Sequence, residues 1–416
     1  MFERLARLIW GTDFDPELRP LLFVAFSGTF AGTAAFPFLG IWALEHLGAS
    51  EVQLSVGLLL GAVTAIGSGW LGGHLSDHVG RRRVMLAAWT ATAVVPLGLI
   101  AVRHHVIVGL AVMASFGVCG SMFNAAEYAM VGDLLPPERR ETGYASVRVA
   151  QNLGVCFGPA LGGLLLLGND WTRLFLGVFA FSVVAVAFAV RLLPRRGRYA
   201  PEGPPARNSF PIVFRDRPFL FFVGAMVLAS MTYVAFDTLL PISLATSHGI
   251  SPATWGFLVI INAALVTFGQ LRLTRATARV SASVKLAIAM PLMGLPFLFL
   301  SVVDSVGAVA AMMVVFVVGE MLWVPTSQAV VAAFAPADIR GAYMGVFGST
   351  SSVAFALTPF AGLQLRHAYG DEAMWAGLAC ISLVAAVGGA LAARNARRSV
   401  VPVRAERQAE VMPGAE

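Results

Sequence analysis

Three carboxyl groups interrupt long apolar stretches of this sequence: Glu127, Asp237 and Glu320. An ionised side chain at the centre of a bilayer costs roughly 2.5–3.5 kcal/mol on insertion scales, so an acid kept there has a task. The chemistry open to it is the uptake and release of a proton or a cation. A fourth carboxyl, Asp77, stands between Gly73 and Gly80, just ahead of three consecutive arginines, Arg81, Arg82 and Arg83. An anion at a helix end can face the positive N-terminus of another helix, and the flanking glycines permit close backbone approach and a tight turn. Other chemistries lack their residues. Cys119, Cys156 and Cys380 have neither metal-ligand nor disulfide spacing and are read as core residues. No Walker loop marks an ATP site. No metal site, cofactor or enzymatic constellation is therefore expected.

These groups need elements to hold them, and composition says which. Of 416 residues, 57% are hydrophobic and only 12% charged, against about 25% charged in a soluble domain. The apolar residues form blocks long enough to cross a bilayer, for which about 20 suffice. Twelve helices are predicted, near 19–44, 52–75, 84–102, 106–133, 142–167, 173–192, 217–245, 252–276, 284–303, 306–334, 341–365 and 372–393. The fold class is thus all-α integral membrane protein. An Arg-, Pro- and Gly-rich linker, 193–216, separates an N-terminal six-helix bundle (1–192) from a C-terminal one (217–394). The polar tail, 395–416, is expected to be disordered.

All but three of the 29 basic residues (Arg103, Arg173 and Arg366) fall on one side of this arrangement. Lys and Arg collect in cytoplasmic loops. Both termini and the linker are therefore expected in the cytoplasm, with the chain in the inner (plasma) membrane. The net charge of +6 is read as this loop bias and not as a nucleic-acid surface.

An offset of 200 residues pairs Pro136 with Pro336, Arg140 with Arg340, Pro159 with Pro359, and Gly162 with Gly362. It also pairs Gly69 with Gly269. Parallel repeats joined by an internal linker are the plan of a two-bundle transporter with a site between its halves. In the fifth segment Gly154, Gly158 and Gly162 share one helix face, where a neighbouring helix can pack closely. Pro159 removes a backbone donor there, and Gly163 follows. Polar and aromatic side chains that can line a substrate cavity are Asn124, Phe36, Trp42, Tyr233, Phe236, Asn262, Gln270, Trp323 and Gln328.

The stretch Gly73-His-Leu-Ser-Asp77-His-Val-Gly80-Arg81-Arg-Arg resembles the signature loop of the major facilitator superfamily. His78 stands where the family has its first basic residue. The resemblance implies that Asp77 docks on the start of helix 11 and latches the cytoplasmic side. It implies also that Arg81 and Asp133 join the same charge cluster. Gly154 to Gly163 resembles the antiporter motif of the family's drug exporters, and Arg148 and Asn152 fit those relatives. Many such exporters carry a proton-handling arginine in helix 4, where this sequence has Met113, so coupling is expected at Glu320, Glu127 or Asp237. The resemblance covers nearly the whole chain. It implies a monomeric secondary transporter moving small amphipathic or drug-like molecules outward against protons by alternating access. A nutrient symporter or facilitator is the alternative, and a non-transporting receptor or scaffold the second.

Overall fold

The computed structural model describes residues 16–102, 105–136, 139–195, 210–301, 305–336 and 339–410. Helices account for nearly all of them. In chain order these are α1 (Arg19–Glu45), α2 (Glu51–Val79), α3 (Arg81–Ala101), α4 (Val106–Leu134), α5 (Arg140–Leu165) and α6 (Trp171–Leu192). Then come α7 (Arg217–Thr238), α8 (Pro252–Ala276), α9 (Ala282–Gly294), α10 (Val306–Phe334), α11 (Arg340–Tyr369) and α12 (Asp371–Glu410). A further segment, Leu240–Thr246, continues α7, and a 3-10 stretch, Leu295–Ser301, extends α9.

Boundaries lie where local chemistry sets them. Ser50 caps α2 with a reciprocal pair of bonds to Gln53, which satisfies two otherwise orphaned donors. Asp170, Asp216, Ser281 and Ser305 each accept a bond from a first-turn N–H of their helix. Gly80 has φ +98° and separates α2 from α3 without a loop. Any side chain there would be strained.

Eleven of the described helices are long and apolar enough to cross a membrane. α5 is not among them, because Arg140, Glu141, Arg148, Gln151 and Asn152 dilute its first half. With it, the twelve predicted helices are all present. α12 runs on past its apolar part, Asp371–Arg394, to Glu410, beyond the expected end near 393. Of the expected tail, 411–416 lie outside the described residues, as do 196–209 of the expected linker; its described part includes the single turn Phe210–Val213.

The repeat survives in backbone detail. α4 and α10 start and end 200 residues apart. Leu135 N–H bonds Val131 O at 3.1 Å, and Ala335 N–H bonds Val331 O at 3.0 Å. Arg139 N–H bonds Pro136 O, as Ile339 N–H bonds Pro336 O. Helix pairing repeats as well: α1 packs on α5 and α6 as α7 packs on α11 and α12, and α3 packs on α4 and α6 as α9 packs on α10 and α12.

By internal contact the described residues form two compact units. One lies within Met1–Pro204 and includes Leu240–Ala263; the other lies within Pro205–Leu239 and Ala264–Glu416. The core of the first gathers Leu21, Val24, Met85, Trp89, Ala126, Val131 and Val147 around α1, α3, α4 and α5. The cysteines do not join a core. Cys119 and Cys156 are half-buried and Cys380 is exposed, which corrects the expectation from sequence. A membrane helix has no water to avoid on its outer face, so an apolar thiol need not turn inward.

Candidate functional site

A charge cluster stands at the start of α3, where Arg81 meets Asp77 and Asp133. The Arg81 guanidinium bonds the Asp77 carboxylate one turn back on α2, the Ser76 hydroxyl at 2.7 Å, and the Asp133 carboxylate at the end of α4, its Nε 3.2 Å from Oδ2. Arg81 thereby ties the ends of α2, α3 and α4 together. Asp77 keeps 59% of its side chain exposed, so it is free to meet a further partner. A pair that exposed contributes about 0–1 kcal/mol. Asp77→Asn is therefore expected to leave thermal stability near that of the parent while crippling transport. The check is melting temperature and transport rate on one preparation; parental transport would remove the latch role.

The glycine face of α5 packs on α1. A Cβ added at Gly154 would fall 2.7 Å from Phe30 N and 2.8 Å from Phe26 O. At Gly158 it would strike Thr33 Oγ1 and lie 2.8 Å from Phe30 O. At Gly162 it would meet Ala34 O and Phe38. Thr33 Oγ1 donates to Gly154 O at 3.1 Å, a bond only touching backbones allow. Gly163 turns elsewhere: its added Cβ would lie 2.7 Å from Ala253 O and 3.0 Å from Gly256 Cα on α8, and Pro159 O abuts Gly256. The motif thus seats two helices, α1 by three glycines and the N-terminal part of α8 by the fourth.

The three carboxyls differ in setting. Glu127 is wholly buried. The other buried polar side chains among the described residues are serines and threonines. Its Oε2 accepts from Gln151 Nε2 of α5 at 2.7 Å, and its Oε1 has no hydrogen-bond partner. Glu320 is half-buried in the middle of α10, beside Gly319, whose added Cβ would lie 2.7 Å from Ala289 O of α9. Asp237 is half-buried near the end of α7. Met113, at the position of the missing arginine, is buried.

Several cavity candidates prove to be packing. Phe236 is 2% exposed and stacks on Phe316 at 4.5 Å; Trp323 is 6% exposed and donates to Met226 Sδ; Trp42 packs edge-on against Phe175. Sequence had offered these three as cavity lining, but flat rings fill a helix core better than any other side chain. Tyr233, half-buried, lies 5.6 Å from Trp323. Gln270 donates to Met321 O at 3.0 Å and ties α8 to α10. Asn262 and Gln328 are half-buried; Asn124 and Phe36 are exposed. Three residues escaped the sequence reading: Gln151, Tyr128 and Tyr144. For the two tyrosines the signal was a polar spacing of four, Asn124 with Tyr128 on α4, and Tyr144, Arg148 and Asn152 on α5, all exposed; Gln151, half-buried, falls outside it. Such a face suits water or ligand better than lipid.

Repeated helix pairing, intramembrane carboxyls and a charged connection between α2 and α3 are features of a multi-pass membrane transporter. The chain belongs to the Major Facilitator Superfamily, whose model matches residues 21–359 and 225–411. The multidrug resistance protein MdtH of Edwardsiella ictaluri is 26% identical over 74% of this chain and 76% of its own length. A Na(+), Li(+), K(+)/H(+) antiporter of Planococcus maritimus is 22% identical over 80% of this chain and 85% of its own. Among solved structures a variant of the nucleoside transporter NupG superposes with a TM-score of 0.74 at 14% identity, covering 91% of this chain and 100% of that one. At that identity the likeness is one of fold.

Proposed function

We propose that this transporter exports small amphipathic or drug-like molecules in exchange for inward protons. It sits in the plasma membrane with both termini in the cytoplasm and works as a monomer by alternating access. The observation that carries the reading is Glu127. A carboxyl wholly removed from water, held by one amide and with one oxygen unpaired, is costly to keep as a merely structural group. It lies on the helix next to α5, whose antiporter-like glycines seat α1 and α8. Substrates stay a class because fold does not fix them.

The test is transport into everted vesicles from cells making the protein, with ethidium, a panel of lipophilic antibiotics, and Na(+), Li(+) and K(+), the ions in the name of one relative. Accumulation of organic probes that collapses when the pH gradient is dissipated is the expected result. Gradient-driven movement of alkali cations alone would replace the drug class with an ion class. Sugar or organic-acid uptake into intact cells, with no export of any probe, would replace export with nutrient import.

A further inference from the structure

Glu127 does not sit alone; it ends a graded chain of polar groups. Tyr128, 38% exposed, donates its hydroxyl to Gln151 Oε1 at 3.3 Å, and Gln151, half-buried, donates through Nε2 to Glu127 Oε2 at 2.7 Å. Exposure falls to zero at Glu127. The two bonds use opposite ends of one amide and so fix its orientation. Tyr144 of α5, also about as exposed, lies 5.9 Å from the Tyr128 ring. The titratable and charged groups around the acid are Tyr128 on its own helix and Tyr144 and Arg148 on α5. Farther along, Arg81 and Asp133 bond each other at the inner ends. None of these touches Glu127 directly; the Gln151 amide does.

We propose that Gln151 is a positioning residue that caps Glu127, so that the acid exchanges a proton only after the amide has swung away. This rests on Glu127 being the coupling acid. The chemistry requires no more than a side-chain rotation. An amide is a poor proton carrier, and burial keeps the unpaired Oε1 from water, so while Gln151 occupies Oε2 the acid is closed off from water rather than wired to it. A ligand that bonds the exposed Tyr128 hydroxyl removes the bond that steadies Gln151, which links occupancy of the Tyr128 and Tyr144 face to release of the cap. Without ligand the cap stays on, and the protein holds a proton gradient.

The experiment uses the full-length protein in proteoliposomes with an internal pH dye, no transported substrate, and a potassium diffusion potential as the driving force. The parent is expected to be tight. Gln151→Leu is expected to raise the proton leak about tenfold, the factor that corresponds to about 1.4 kcal/mol. Tyr128→Phe, which loses only the longer bond and leaves helix packing nearly intact, is expected to raise it severalfold. Adding Glu127→Gln to Gln151→Leu is expected to return the leak to the parental rate. Parental leak in both single variants, or a leak that persists in the double variant, overturns the cap. If Gln151→Leu does not fold, Tyr128→Phe with and without Glu127→Gln decides the question. Should the cap fail while Glu127→Gln still abolishes gradient-driven transport, the exporter reading stands with Glu127 as its acid; should Glu127→Gln transport like the parent, Glu127 is not the coupling acid, the cap falls with it, and coupling passes to Glu320 or Asp237.

Discussion

Gly158→Leu is expected to abolish transport and to lower the melting temperature in detergent by several degrees. The position has no room for even a Cβ, which would strike Thr33 Oγ1 and lie 2.8 Å from Phe30 O and 3.0 Å from Ala34 N. Two of those three atoms are backbone of α1, which cannot rotate away as a side chain can. Overpacking a closed core typically costs 1–3 kcal/mol, occasionally more, and a leucine against backbone belongs to the costly end. The displacement also breaks the Thr33 to Gly154 bond of 3.1 Å. Pushing α5 off α1 tilts Pro159 and Gly163 away from Gly256, so the seat of α8 is lost with it. The matched control is Gly345→Leu on α11, the repeat that pairs with α5, because nothing lies within 4 Å of an added Cβ there. Melting temperature and probe transport are measured for both. Parental values for Gly158→Leu would show that α1 and α5 separate freely during the cycle.

Glu127→Gln is expected to abolish accumulation driven by a pH gradient while leaving substrate binding and folding intact. Glutamine keeps the size of glutamate and can still accept from Gln151, so the α4–α5 contact at 2.7 Å is retained. What it lacks is a proton to give. Removing a wholly buried carboxyl also removes a desolvation cost, so the melting temperature is expected to hold or rise. Glu320→Gln and Asp237→Asn are measured beside it. The sequence placed Glu320 first, for its central position in α10. Burial places Glu127 first, since Glu320 and Asp237 are both half-buried. Transport across an imposed pH step, with binding measured separately, separates the three. Full pH-driven transport by Glu127→Gln, with loss in Glu320→Gln, would move coupling to α10.

Much of this was legible in the chain. Bilayer thickness and backbone satisfaction leave a chain so apolar only one route, a series of helices each closing its own hydrogen bonds. Twelve helices and a repeat offset of 200 could thus be read from block length and from matched prolines, without any coordinates. The tight connection at Gly80 and the glycine face of α5 followed the same logic: where only glycine fits, glycine is written, and its spacing names the face. Helix ends were read less well, as at α3, which begins at Arg81 directly after Gly80, because polar arginines extend a helix into the loop side without changing its hydropathy.

What sequence could not decide is which of several equal side chains meets another. Glu127 and Gln151 are 24 positions apart, and nothing in either helix alone says that one amide reaches the other. Nor does it distinguish Phe236 and Trp323, buried in the bundle, from Tyr233, half-buried beside them, since all three are apolar rings on helices that face a neighbour somewhere. In water, a polar residue would mark the outside and an apolar one the core. In a bilayer the outside is as apolar as the core, so hydrophobicity loses its directional meaning. Only the packing of helix against helix assigned each ring, each cysteine and each carboxyl its side.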